Sequence, residues 1–401
     1  MTKSKWQDLA KWWNQFGKKE LTAQDAINLI RPGQRIFLHS GCSDPISLSS
    51  ELFRQQERLK DIIIYDFLSI AREKDMPLTN KPEDLFRHNA FFIAGESIRN
   101  AINTGHADYT PTALSEIPSL FQKGRITIDV ALIQVSPPDK NNLCSFGVNV
   151  DVAKSITEAA DLVIAEINPK APRVFGNSFI HMKKIDHFVY TDHPLLEFAY
   201  EEPGDTQKKI AQNVASLVKN EATIQVGLGR FANTILKALS DHKDLGVHTD
   251  TLFDTIVDLV EEGVITGDKK SFAQGRIVAN FGFGTKKLFD FVDDNLGVEF
   301  HPSDFTNNPT IIAQNYQMTS INSALSVDLL GQVNAASVGS KFYSGIGGIA
   351  DFSRGASYAK NGRPIIYMPS TKKNREISRI VPTLPLESHF SFMLHDIHYI
   401  V

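Results

Sequence analysis

Asp244-Leu245-Gly246-Val247-His248-Thr249-Asp250-Thr251 reads as a strand end, a tight turn and a helix start. Gly246 supplies the freedom a turn needs, and Thr249 is a suitable N-cap. That reading predicts Asp250 in the first helical turn, ionised and favoured there by the helix dipole. The helix that follows repeats apolar residues at Leu252, Phe253, Ile256, Val260 and Val264, near a 3.6-residue period. A carboxylate is thus expected at the mouth of a strand–helix junction. In an open α/β sheet that mouth, at the carboxyl ends of the strands, is where ligands bind.

The same grammar runs outward from this stretch. Arg35–His39 is a strand-like run followed by Ser40-Gly41-Cys42-Ser43-Asp44-Pro45 and a helix through Leu48, Leu52 and Phe53. Ala222–Val226 is another, turned by Gly227-Leu228-Gly229-Arg230 and followed by a helix through Ile235, Leu236 and Leu239. The repeated order predicts two related α/β halves with mostly parallel sheets. Further strands are expected at 61–65, 129–135, 162–167, 278–282, 320–327 and 363–369. A short helix is expected at 22–30. Glu201-Glu202-Pro203-Gly204-Asp205 has the charge, proline and glycine of a linker, so the division falls between 1–202 and 203–401.

Composition narrows the function classes. A chain of 401 residues is long enough for two domains. Its 42% hydrophobic and 22% charged content is that of a soluble globular protein. The net charge of −4, with no dense basic run, argues against a nucleic-acid partner. Two cysteines, Cys42 and Cys144, make neither a disulfide framework nor a metal cluster and suit a reducing compartment. The apolar runs are strand-length, so no membrane span is expected. Residues 1–19 read as an amphipathic helix with Trp6, Leu9, Trp13 and Phe16 on one face, expected to dock on the protein's own body, with a membrane-surface helix as the alternative. His181, His187 and His193 lack metal-ligand spacing with acidic partners. His248 reads as a structural turn histidine, and Cys42 as a small buried residue.

Two glycine loops are candidates for chemistry: Gly227-Leu228-Gly229, and Tyr343-Ser344-Gly345-Ile346-Gly347-Gly348-Ile349-Ala350-Asp351-Phe352. Without a Cβ, backbone N–H groups come close to a ligand, where paired amides can hold an oxyanion or a phosphate. The second loop lacks the Lys-Ser/Thr of a Walker loop. Neither loop makes G-x-G-x-x-G after a strand, so a dinucleotide site is not supported.

Longer segments are more specific. They are Phe86-Arg87-His88-Asn89-Ala90, Leu114-Ser115-Glu116-Ile117-Pro118, the run from Asp129 to Lys140, and Gly176-Asn177-Ser178-Phe179-Ile180-His181. Ser320-Ile321-Asn322-Ser323-Ala324, Val327-Asp328-Leu329-Leu330-Gly331-Gln332-Val333 and the G-x-G-G loop complete the set. In these the chain resembles the acetyl-CoA hydrolase/transferase family, in its 4-hydroxybutyrate CoA-transferase-like branch, from about Leu21 to Val401. The resemblance implies an α/β fold of two tandem CoA-transferase-type (NagB/RpiA-like) domains with the active site between them. It also implies a cytoplasmic homodimer that takes acyl-CoA and small carboxylates as substrates, with coenzyme A as the transferred moiety and no metal. A carboxylate nucleophile would attack the thioester and carry CoA as an enzyme thioester. By the same resemblance Asp250 occupies the nucleophile position, and amides at Leu228, Gly347 and Gly348 are the oxyanion donors. Asn307, Gly227, Gly229, Gly345 and Ile349 line the substrate site.

The chain departs from that pattern at the reacting position, where the family has Glu. Asp is one methylene shorter, which sets its oxygens back by roughly 1 Å, a distance that matters to a reacting atom. Three consequences stand open. The loop is displaced and CoA transfer persists; Asp250 serves as general base for a water and the enzyme is an acyl-CoA hydrolase; or the protein is a catalytically silent CoA-binding relative. Ile349 also stands where the branch has Gln, and Ala336 where it has Glu. Arg230-Phe231-Ala232 replaces a small, proline-containing turn. The chain closes on an apolar, strand-like run, Asp396–Val401.

Overall fold

The computed structural model describes residues 12, 15–68, 86–199, 202–229, 231–372, 376–388 and 396–401. Two parallel sheets organise it. The first contains β1 (Arg35–Leu38), β2 (Ile62–Asp66), β3 (Phe86–Ala90), β4 (Asp108–Tyr109), β5 (Val130–Val135), β6 (Leu162–Ile167) and β7 (His187–Tyr190), in the order β7-β6-β5-β1-β2-β3-β4. The second contains β8 (Thr223–Val226), β9 (Gly246–Val247), β10 (Thr319–Ser323), β11 (Arg363–Tyr367) and β12 (Tyr399–Ile400), in the order β9-β8-β10-β11-β12. All pairings in both sheets are parallel.

The sequence explains the burial. β5 (VALIQV) is buried at every position and β8 at all four, as a strand covered on both faces must be. Each fully buried Val, Ile or Leu side chain there contributes roughly 1.5–3 kcal/mol. Around the sheets run α1 (Ile46–Arg54), α2 (Glu96–Asn103), α3 (Ala232–Lys237), α4 (Asp254–Glu261) and α5 (Ile349–Tyr358). Thr22 caps the helix Ala23–Asn28 by accepting the Asp25 N–H.

The two halves are joined by backbone pairing as well as by packing. Phe175–Gly176 pairs with Val298–Phe300, and single bridges link Asn149 to Phe281 and Ala113 to Gly347. The largest apolar core runs through both halves without a break.

Three local expectations change. The helix after the opening stretch is α4, which starts at Asp254. Thr251–Leu252 is instead extended and pairs with Phe281–Gly282. Thr249 caps nothing; its hydroxyl donates to the Thr251 carbonyl. Tertiary strand pairing outweighs the local capping preference, and Asp254 takes the first-turn place, accepting the Thr285 and Leu288 N–H groups. The expected strands at 278–282 and 320–327 each break in two. At Asn280 the chain turns its carbonyl to Val150 and Asp151 of the first half. After Ser323 it leaves the parallel sheet, and Ser326–Asp328 pairs with Val333–Asn334 and Ile380–Val381.

Of the apolar stripe expected in residues 1–19, Phe16 is in the described part and is buried in the main core. Trp12, which that stripe did not include, is buried there too, edge-on to Phe188 at 5.7 Å. Trp6, Leu9 and Trp13 lie outside the described residues, as does Glu201 of the expected linker. Among the described residues no helix is long and apolar enough to cross a membrane. Tyr399–Ile400 forms β12, the edge of the second sheet.

Candidate active site between the two halves

The strand order of the second sheet reverses at β8, whose neighbours β9 and β10 lie on opposite sides. The cleft opens at this point, beyond the carboxyl ends of β8 and β10. Its cavity volume is about 90 Å3, and both halves line it: Phe67, Phe92 and Leu114 from the first, Leu228, Asp250, Asn322, Ser323 and the glycine loop from the second.

Asp250 lies in the bend between Val247 and Thr251, 7% exposed. Its Oδ1 accepts the Thr251 N–H at 2.9 Å and the Thr251 hydroxyl at 3.4 Å. Burial raises its pKa from 3.8 to about 6, against the opposing pull of hydrogen bonds from Thr251 and Gln225. This corrects the expectation of a carboxylate held ionised by a helix N-terminus: a desolvated site sets its proton affinity. Gln225 is itself fixed by a two-way amide pair with Asn322, at 3.1 and 2.9 Å.

The glycine loop runs directly into α5, with Gly348 as its N-cap. A Cβ on Gly348 would lie 2.5 Å from Asn307 Nδ2 and closer still to Asp250 Oδ2, so only glycine fits between them. Gly347 has φ of +56° and packs against the Phe92 ring. On the other wall Gly227 abuts the Asn322 amide. Among the described residues nothing accepts the amide protons of Leu228, Gly347 or Gly348. All three residues line the cleft with Asp250, and Gly348 stands directly against it.

The structure therefore brings Asp250, Gly227, Leu228, Gly345, Gly347, Gly348 and Ile349 onto one cleft. Asn307 stands behind it, fully buried, accepting the Asn280 side-chain amide at 2.7 Å. Gly229 turns away at the exposed edge of its loop, with Ser323 Oγ and Tyr367 OH the nearest groups to a Cβ there, both 3.9 Å away. Arg230 lies outside the described residues. His248 does not touch Asp250 in any hydrogen bond of the structure. Its ring bonds the Thr306 carbonyl at 2.8 Å and the Asn315 amide at 3.2 Å, and burial lowers its pKa to about 3. Cys42 is buried and pushed up to about 12, an inert thiol. Among the described residues no group of three or more His, Cys, Asp or Glu could hold a metal ion.

Sequence reading missed several contributors. Asn322 and Gln225 sit on neighbouring parallel strands, Asn322 two residues beyond the Ser320 that pairs with Gln225, a contact that no spacing along the chain reveals. Phe67 and Phe92 come from the other half, in apolar segments that read as core. Asp351 was in view inside the glycine-loop segment, but its partner Ser115 is 236 residues away.

Comparison with known proteins agrees with this architecture. Residues 1–198 match the N-terminal domain of the acetyl-CoA hydrolase/transferase family, and residues 284–401 match its C-terminal domain. The chain belongs to that family. It is 41% identical to 4-hydroxybutyrate coenzyme A transferase of Clostridium kluyveri, over 97% of this chain and 90% of that one. The RipA structure from Yersinia pestis superposes with a TM-score of 0.87 at 30% identity, covering 97% of this chain and 89% of that one. A 4-hydroxybutyrate CoA-transferase from Porphyromonas gingivalis superposes with a TM-score of 0.77 at 33% identity, covering 93% and 87%.

Proposed function

We propose that this protein is an acyl-CoA:carboxylate CoA-transferase for small acids of the acetate, butyrate and 4-hydroxybutyrate class, with Asp250 as its nucleophile. The observation that supports this reading most is a buried carboxylate in a cleft that Leu228, Gly347 and Gly348 also line, their amide protons finding no acceptor among the described residues. The boundary between the halves is placed near residue 203, and the active form is a cytoplasmic homodimer.

The Asp250 carboxylate attacks the thioester carbonyl of an acyl-CoA. Negative charge collects on the carbonyl oxygen, where the Leu228, Gly347 and Gly348 amides meet it. Collapse expels CoA thiolate and leaves an acyl–aspartyl anhydride. The thiolate then attacks the aspartyl carbonyl, releases the first acid and forms an Asp250–CoA thioester. A second carboxylate attacks that thioester, and the expelled thiolate attacks the acyl carbon of the new anhydride. Acyl-CoA leaves and Asp250 is regenerated. The energy of the thioester is kept throughout. Thr251 holds one Asp250 oxygen at 2.9 Å, which leaves the other to react. Apolar Phe67, Phe92, Leu114 and Phe281 exclude the water that would otherwise hydrolyse the intermediates.

Intact-mass measurement after incubation with acetyl-CoA or butyryl-CoA, trapped with borohydride or hydroxylamine, tests the reading. A covalent change that maps to Asp250 and is absent in Asp250→Asn supports transfer. The same substitution is expected to lower turnover on the order of 10⁴-fold or more. An unmodified chain that releases free CoA makes the protein a hydrolase with Asp250 as base. An unmodified chain that binds CoA and releases none from any acyl donor makes it a silent relative.

A further inference from the structure

One buried carboxyl near the cleft has no part in the chemistry above. Asp351 is the third residue of α5, in the glycine-loop segment, and is almost fully buried. It is turned across to the first half instead of serving its own helix. Ser115 Oγ donates to its Oδ1 at 2.7 Å, and the Ser115 N–H to its Oδ2 at 3.0 Å. The Asn307 side chain also favours its charged form. Burial and the nearby Glu116 nevertheless raise its pKa to about 7, so the carboxyl is kept in an environment that opposes its charge.

The neighbours continue the connection. Asn307 accepts from Asn280 at 2.7 Å and its amide nitrogen abuts Gly348. The backbone N–H groups of Asn280 and Phe281 donate to the Asp250 carbonyl at 3.3 and 3.0 Å. In parallel, the Leu114 N–H donates to the Gly347 carbonyl at 3.0 Å and Tyr109 OH accepts the Ile346 N–H at 3.0 Å. Arg99 donates to the Tyr343 carbonyl at 2.8 Å, and the Asn103 side chain bonds both backbone groups of Phe342. The glycine loop belongs in sequence to the second half, and the first half holds it at four residues and at Phe342 just before it.

We propose that Asp351 is a positioning residue for the transfer reaction: held by Ser115 of the first half, it fixes Gly347, Gly348 and Asn307 opposite Asp250, so the oxyanion donors stand in place only when the two halves are docked. The kinetic part rests on the transferase reading given above; the structural part does not.

Kinetics and hydrogen exchange together test it on the full chain. Asp351→Ala is expected to lower kcat roughly 100-fold while KM for acyl-CoA moves less than about threefold, as misplaced donors would do. Ser115→Ala is expected to lose about tenfold, and Ser115→Thr, which keeps the hydroxyl, to recover most of it. The Ser115→Ala/Asp351→Ala double variant should be no worse than Asp351→Ala alone, because one connection is broken twice. Backbone amides of 343–349 should exchange faster in Asp351→Ala and in Ser115→Ala, while those of 223–226 stay unchanged.

Losses that multiply, or a fall in melting temperature with kcat intact, would overturn the proposal. So would unchanged exchange at 343–349. If Asp351→Ala does not fold, Ser115→Ala decides by the same measurements. The wild-type enzyme is assayed alongside for the Asp250 adduct. Its absence would remove the transferase reading, and the exchange data would still decide whether Asp351 fixes the loop.

Discussion

The same junction occurs twice in this chain, and among the described residues the second copy is the open one. In the first sheet the order reverses between β1 and β5, and in the second at β8. At the first reversal His39 follows β1, its ring taken by the Asn149 carbonyl at 2.7 Å and the Gln134 N–H at 3.3 Å. The loop Gly41–Ser43 beyond it is wholly buried. Burial lowers the His39 pKa to about 4, so the ring is a neutral packing group at physiological pH. The segment 148–151 fills this crevice and carries on to the other half, bonding Gly282 and Asn280. At the second reversal Gly227 and Leu228 border open space. One crevice is used to join the halves and the other to receive a ligand. The difference lies in what fills each crevice, since both have the strand order that makes one.

Gly348→Ala should show how little room the open crevice has. The new methyl group would overlap Asp250 Oδ2 and Asn307 Nδ2, so the loop or the carboxylate must move. A shift of about 1 Å predicts a loss of about 100-fold in kcat, read in a CoA-transfer assay, with the fold retained by circular dichroism. Activity within threefold of wild type would mean that the loop adjusts freely and the open crevice has room to spare.

Acidity separates the crevices next. Asp250 must be ionised to attack, and its pKa is about 6. kcat/KM is expected to fall tenfold per pH unit below about 6 and to be level above it. Stability has the opposite sign. The folded carboxyl is raised above its unfolded value of 3.8, so the native state binds the extra proton between about pH 4 and 6, and stability falls as pH rises through that window. Asp250→Asn should therefore stabilise the protein at pH 8 by an amount on the order of 1–3 kcal/mol, checked by denaturant melts at pH 4 and pH 8. No gain at pH 8 would show that the carboxylate is better solvated in the cleft than its burial implies.

Asp250→Glu restores the missing methylene. Because Oδ2 already touches the Gly348 position, the longer acid must extend along the cleft toward Leu228. A gain of about tenfold in transfer rate is expected from better reach, measured by product formation from butyryl-CoA and acetate. A fall would mean that the glycine loop has closed around the shorter acid.

Much of the fold was legible because parallel strands buried on both faces read as apolar runs. β5 and β6 lie where Asp129–Val135 and Leu162–Ile167 predicted them. The cleft residues on the two glycine loops were legible for a related reason: glycine leaves a mark where backbone must come close. The local surroundings of Asp250 were not. Thr249-Asp250-Thr251 has good capping chemistry, and only the pairing of Thr251 with Phe281 cancels it. The Ser115–Asp351 and Gln225–Asn322 pairs were hidden for the same reason, since each is made by residues that the fold, not the spacing, brings together.

The closed crevice supplies the smallest expected change in activity and the control for the rest. Gly41 has φ of +63°, and a Cβ there would meet Asn149 Nδ2 at 2.7 Å. Gly41→Ala should cost about 1–3 kcal/mol in stability, from the left-handed backbone and from displacing that amide. The group that gives way is the tip of a side chain, and the Asn149 backbone, which bridges to Phe281, can stay in place. kcat should then remain within about threefold of wild type while the melting temperature drops by several degrees. A loss of tenfold or more in a fully folded variant would mean that the first crevice does more than join the halves. Its packing would then set the position of Asn280, and through Asn280 the positions of Asp250 and Asn307.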